Sequence, residues 1–208
     1  MRSVPYKVET DFAPIGLVAS APLSIAISNK LGVQDLKSLI AAGRARPHAL
    51  NFAVGSIGSA GHLCTVKLEQ ATGMPIAIVP YKGTGPALND LAGGQVDLLC
   101  DQTSGTVPLV KANRIRAIAA AGPQRIPSLP DMPAIAEAGV SGMDINISFG
   151  MYAPKGTPKA EIDLLSKALQ AAVTDPEVKG KLDGMGVTAV PPELAKPEAL
   201  RTHLRKEI

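Results

Sequence analysis

Apolar residues along the chain come in short runs, cut at close intervals by Gly, Pro, Asp and Asn, and the spacing within each run predicts its type. "FAPIGLVA" and "LSIAIS" predict two short strands separated by Ser20-Ala21-Pro22. "LGVQDLKSLIAAGRA" carries Leu36, Leu39 and Ile40 at helical spacing, with Gly43 near its end. "LNFAV" reads as a strand, and Ser59 as the N-cap of a helix running to about Thr72 and stopped by Gly73. "IAIVPY" predicts a buried strand, and "KGTG" a turn into a helix with Pro86 at its first position. "VDLLCD", "GTVPLVKAN" and "IRAIAAAG" follow as strand, short helix and strand.

Further on, "MPAIAEAGV" predicts a short helix with a glycine stop, and the alternation in "DINISFGMYAP" a strand. "PKAEIDLLSKALQAAV" is the clearest amphipathic helix, opened by Thr157 and Pro158 and closed before Asp175-Pro176. "PEVKGKLDGMG", "VTAV" and "PEALRTHLRKEI" complete the pattern as helix, strand and helix. Strands alternating with helices of this size predict an α/β protein with a mostly parallel sheet covered on both faces. In such sheets ligands bind outside the carboxyl ends of the strands, which here are Gly55–Gly61, Lys82–Gly85 and Asp101–Gly105.

Composition narrows the classes. With 46% hydrophobic and 19% charged residues, the chain has the make-up of an ordinary globular protein, and Ala, Val, Leu and Ile must fill a core that has no Trp. The net charge of +3 is small and no basic run is interleaved with aromatics, so nucleic-acid binding gains no support. No apolar stretch is long enough to cross a membrane as a helix, and "SVPYKVETDFAPIG" after Met1-Arg2 has no apolar signal-peptide region. Cys64 and Cys100 lack metal-ligand spacing, and we read them as buried small apolar residues, with a disulfide as the lesser alternative. No metal or cofactor signature is present.

The glycine-rich turn "NFAVGSIGSAGHL" allows several chemistries. A nucleophile elbow needs Gly two residues before and two after the Ser; Ser56 has Val54 before it and Ser59 has Ile57. His62 lies three residues past Ser59 on the same helical turn, where a local structural role is expected. There is no G-x-x-x-x-G-K-[ST], and "GTGPAL" has Leu88 where the third glycine of a dinucleotide loop belongs. What remains is a pair of helix starts, "GSIGSAG" and "KGTGPA", whose orphan N–H groups and dipoles attract carboxylates or phosphates without a cation. Ser56, Ser59 and Thr84 can add hydroxyls, while Lys82 reads as a solvated turn residue. Asp101 is either an acceptor at the cleft edge or an N-cap, and Phe149 either a pocket wall or core. These features read about equally as a binding site and as plain caps and turns.

Six runs together resemble the Bug-type periplasmic solute receptors of tripartite tricarboxylate transport: "DFAPIGLVASAPLSIAIS", "NFAVGSIGSAGHL", "VPYKGTGPALNDLAGGQVDLLCDQ", "KANRIRAIAAAG", "SLPDMPAIAEAGVSGM" and "FGMYAPKGTPK". The resemblance implies a bilobed, type II periplasmic-binding-protein fold. Residues 23–149 would form lobe two, and residues 1–22 with 150–208 part of lobe one, hinged near Ala21–Ile25 and Ser148–Ala153. It implies a non-enzymatic receptor that captures a small organic carboxylate and delivers it to transporter subunits in the membrane. Ser56, Gly58, Ser59, Thr84, Gly85, Asp101, Gln102 and Phe149 would line the ligand site, many through backbone or water.

Family members also carry a signal peptide and the first βαβ units of lobe one ahead of "DFAPIG", which implies that this chain lacks that part and its glycine-rich loop. The resemblance points to a periplasmic location, whereas a native product without a signal peptide would stay cytoplasmic. It leaves a monomer or, through uncovered sheet edges, a dimer. The alternatives from other classes are an α/β hydrolase or transferase acting on a small organic anion, and a regulatory effector-binding domain.

Overall fold

The structure is a computed structural model that describes residues 5–207; the first residues of the chain and Ile208, the expected end of the last helix, lie outside them. Contacts divide the chain into two compact units, one made of the segment up to Ser20 and the segment from Ser148, the other of Ala21–Ile147. The chain opens with a helical turn, α1 (Val8–Asp11), and a strand, β1 (Phe12–Ser28). β1 replaces the two strands predicted around Ser20-Ala21-Pro22. Its pairing explains the difference: β1 meets one partner at Ala19–Ser20 and two others from Leu23 and Ser24 onward, so Pro22 sits where no ladder donor is needed.

In the larger unit, α2 (Leu36–Ala45), β2 (Asn51–Val54), α3 (Ala60–Thr72), β3 (Ala77–Pro80), α4 (Thr84–Gly93), β4 (Leu98–Gln102), α5 (Thr103–Lys111) and β5 (Ile115–Ala120) follow in order. The strands lie in the sequence β3-β2-β4-β1-β5. The sheet is mixed rather than mostly parallel: β2 pairs parallel with β3 and β4, while β1 pairs antiparallel with β4 and β5. Alternation along the strands sends Leu23, Ile25, Ile27, Phe52 and Leu98 to one face, against Leu39 and Leu68. Ala26, Ala53 and Leu99 face the other way, against Ala87, Leu88 and Leu91 of α4. β3 is an edge strand and only half buried, not the buried strand predicted.

Gly43 lies in the last turn of α2, near its end as expected, and is buried there, where a Cβ would press on Met74. One local expectation fails for an identifiable reason. "MPAIAEAGV" forms turns, not a helix. Ala134 bridges to Ala120 as in a strand, and the Glu137 carboxylate takes the Ala134 N–H at 2.7 Å and binds the Arg125 guanidinium.

The other unit contains β6 (Asn146–Pro154) from Ser148 onward, α6 (Lys159–Thr174), α7 (Pro176–Gly184), β7 (Thr188–Ala189) and α8 (Pro197–Glu207). β6 and β7 both pair with β1. Its core gathers Ile15, Leu17, Ala153, Leu169, Val173, Val190 and Leu200. Leu169 and Val173 are spaced four apart, so α6 buries one stripe.

Candidate functional site

Three loops at the carboxyl ends of β2, β3 and β4 meet in the larger unit. These strands run parallel, and each leads within a few residues into a helix: β2 into α3, β3 into α4, β4 into α5. Three helix N-termini therefore open at one edge of the sheet.

Close backbone approaches hold the loops together. Gly55 lies against the second loop: a Cβ there would stand 2.9 Å from Thr84 Oγ1 and 3.2 Å from Thr84 N. The Gly83 N–H donates to Gly55 O at 2.7 Å and the Tyr81 N–H to Val54 O at 2.8 Å. The Tyr81 hydroxyl donates to Asp90 Oδ2 at 2.7 Å; this bond, with burial, pushes the phenol pKa up to about 12. Gly105 of the third loop approaches both Leu88 of α4 and Asp101 Oδ2, at 3.0 and 3.2 Å from its missing Cβ. The elements beside the first and third loops are joined covalently, because Cys64 of α3 and Cys100 of β4 form a disulfide. That corrects their reading as unpaired small apolar residues.

Hydrogen-bond accounting shows what each helix start offers. In the first loop, the Ser59 hydroxyl donates to Ser56 O at 2.8 Å and accepts the His62 N–H at 3.2 Å. The Gly58 N–H donates to the imidazole Nδ1 of His62 at 3.1 Å. Ser59 and Gly58 are thus engaged within the loop, and His62 meets Ser59 through its amide, not its ring, so the two form no nucleophile–base pair. The amides of Ala60 and Gly61 are the ones the α3 start leaves over, and no side chain in the sequence signals them.

In the second loop, α4 begins at Thr84, two residues before the predicted start, so Pro86 is its third residue rather than its first. No side chain caps α4. With the Gly83 N–H bound to Gly55 O and Pro86 having none, Thr84 and Gly85 carry the two orphan amides of this start. Among the described residues neither amide has a hydrogen-bond acceptor, and a Cβ at Gly85 would meet open space.

In the third loop, Gln102 is the N-cap of α5 and its side chain makes no capping bond. Asp101, one residue earlier, is therefore not the N-cap. Burial pushes its carboxyl pKa up from 3.8 to about 6, partly countered by the Gln102 N–H that it accepts. A raised folded pKa means that the folded state holds this proton more tightly than the unfolded chain. Its cost to stability is absent below pH 3.8, grows between there and about 6, and is complete above. Asp101→Asn should therefore raise unfolding free energy by about 2 kcal/mol at pH 8 and by nothing at pH 3.5. Urea melts at the two pH values test this, and an equal change at both would refute it.

Of the residues expected at the site, Ser56, Gly58, Ser59, Thr84, Gly85, Asp101 and Gln102 all lie in this loop cluster. Phe149 belongs to β6 in the other unit, where it is 37% exposed. Lys82 is exposed beside the second loop. Among the described residues, no group of three or more His, Cys, Asp or Glu side chains is arranged to hold a metal ion. The arrangement offers backbone donors and hydroxyls at positive helix ends, the chemistry of an anion cradle.

The model of the tripartite tricarboxylate transporter family receptor matches residues 1–198. The protein BugT of Bordetella pertussis is 34% identical over 208 residues, covering 100% of this chain and 63% of BugT. Rpa4515 of R. palustris, solved with adipate, superposes with a TM-score of 0.94 at 35% identity, covering 100% of this chain and 68% of that one. The periplasmic binding protein BugD gives a TM-score of 0.90 at 38% identity over 97% of this chain and 67% of its own. This chain spans 60%, 55% and 63% of the length of three curated relatives it matches.

Proposed function

This chain belongs to the tripartite tricarboxylate transporter receptor family, and on that premise we propose that it serves as a receptor for a small organic carboxylate. The two compact units correspond to the lobes of such a receptor, and the loop cluster of the larger unit forms one wall of the ligand site. The captured solute passes to transporter subunits in the membrane, with no covalent step. The observation that carries this reading is the convergence of three helix starts on the edge of β3-β2-β4, with the Thr84 and Gly85 amides left over. Adipate in the R. palustris relative supports the ligand class. The buried disulfide, which persists in oxidising surroundings, supports a periplasmic place of action.

Calorimetric titration with mono-, di- and tricarboxylates, adipate and citrate included, tests the reading. At least one should give saturable heat and raise the melting temperature. Absence of both responses across the whole panel would remove the carboxylate assignment from this chain.

A further inference from the structure

The helix that follows the first loop, α3, buries mostly small side chains. The buried residues of α3 are Gly61, Cys64, Thr65, Leu68 and Thr72, so a single large aliphatic side chain faces the sheet. Ile57 and Leu63, the bulky apolar residues flanking its start, are 64% and 55% exposed and add no anchoring. What places the first turn of α3 is a near contact of backbone on backbone, Gly61 over Cys100 O, followed one turn later by the bond from Cys64 to Cys100. Both cysteines are fully buried, at 0% and 1% exposure. Cys100 is the residue immediately before Asp101 and Gln102. The bond therefore runs from the helix that offers the Ala60 and Gly61 amides to the strand end that forms the third loop. Among the described residues, the second loop reaches the first through hydrogen bonds and the Gly55–Thr84 contact, with no covalent link between them.

We propose that the Cys64–Cys100 disulfide is a positioning strut of the anion cradle, setting the separation between the first and third loops on which carboxylate affinity depends. The proposal rests on the reading of these loops as a carboxylate site. Backbone donors cannot reorient as a lysine side chain does, so their affinity depends on the helix start being held in place before the ligand arrives. Without the bond, α3 keeps its Leu68 contact but is free to slide on the small residues around Cys64, carrying the Ala60 and Gly61 amides away from Asp101 and Gln102.

The test compares the oxidised protein with Cys64→Ala/Cys100→Ala at 10 °C, where both are folded by circular dichroism; Cys64→Val/Cys100→Ala restores volume should the first variant not fold. Adipate and citrate are titrated calorimetrically, and amide hydrogen exchange is followed by mass spectrometry. Loss of the bond should weaken affinity at least tenfold. It should speed exchange at least tenfold in peptides spanning residues 56–63 and 100–106, and leave 81–93 within twofold. Affinity within twofold of the oxidised protein, or faster exchange spread evenly over the larger unit, overturns the strut. If the oxidised protein binds neither probe, the carboxylate reading and the affinity dependence fall together, and exchange alone still decides whether the bond places the two loops.

Discussion

Gly85→Leu should abolish carboxylate binding, by a hundredfold or more in affinity, while leaving the protein as stable as before. The two halves of this expectation have separate origins. Gly85 is the second residue of α4, and a Cβ there meets no atom within 4 Å, so a larger side chain displaces nothing in the folded protein. Leucine also suits a helix better than glycine, by up to about 1 kcal/mol in a helix interior and less in the first turn. Stability should stay level or rise slightly.

Binding should respond in the opposite direction. An anion held by the Thr84 and Gly85 amides must come within about 3 Å of the backbone, and glycine leaves that approach open. A leucine side chain occupies the open space beside the amide and shields the orphan donors from the ligand. Calorimetric titration with adipate and a urea melt on the same preparation separate the two effects. Undiminished affinity would remove the second loop from the site, and a fall in stability would show that the space beside Gly85 is not open. Gly85→Ala, which adds a single methyl, should weaken binding to an intermediate degree.

The elements of this fold were legible wherever local pattern and local chemistry decide. Phe52 and Val54 on one face and Ala53 on the other follow the alternation of "LNFAV", and the α3 boundaries follow from Ser59 and Gly73. The α5 and α6 segments were likewise readable from spacing and turn residues. What local pattern does not contain is partnership. β1 is one strand because its ladders change partners around Pro22, and neither β4 nor β7 is announced by the residues of β1. The disulfide joins a helix to a strand across a separation of 36 residues, with no framework of other cysteines to suggest it. Phe149 lies in a strand readable from sequence, but which unit a strand joins depends on tertiary contacts.

The site was legible as three loops and less so as atoms. Glycines, serines and the strand-ending Asp101 marked where helices begin. The donors themselves are amides of Ala60, Gly61, Thr84 and Gly85, and an amide has no residue type. Ser59 shows the converse, since a conspicuous hydroxyl in a promising loop proves to be spent on Ser56 and His62.

Gly61→Val should lower the unfolding free energy by at least about 3 kcal/mol, a large share of the 5–15 kcal/mol that holds a typical domain together. The missing Cβ of Gly61 would stand 2.5 Å from the carbonyl oxygen of Cys100, a backbone atom with no rotamer to yield. β4 cannot retreat, because Cys100 is in register with Ile25 of β1 on one side and its neighbour Leu99 with Ala53 of β2 on the other. Nor can α3 lift away freely, because Cys64 ties it to that same residue one turn later. Overpacking usually costs about 1–3 kcal/mol when one wall can shift; here both walls are held, so the upper end or beyond is expected. Gly61→Ala should show the same effect in smaller measure, about 2 kcal/mol. The penalty of Gly61→Ala should shrink in the Cys64→Ala/Cys100→Ala background, where the helix is free to move outward, and that coupling, read from a double-mutant cycle of urea melts, distinguishes a clash against a tethered helix from a simple loss of glycine flexibility. Strict additivity of the two changes would mean that the disulfide does not hold α3 on β4.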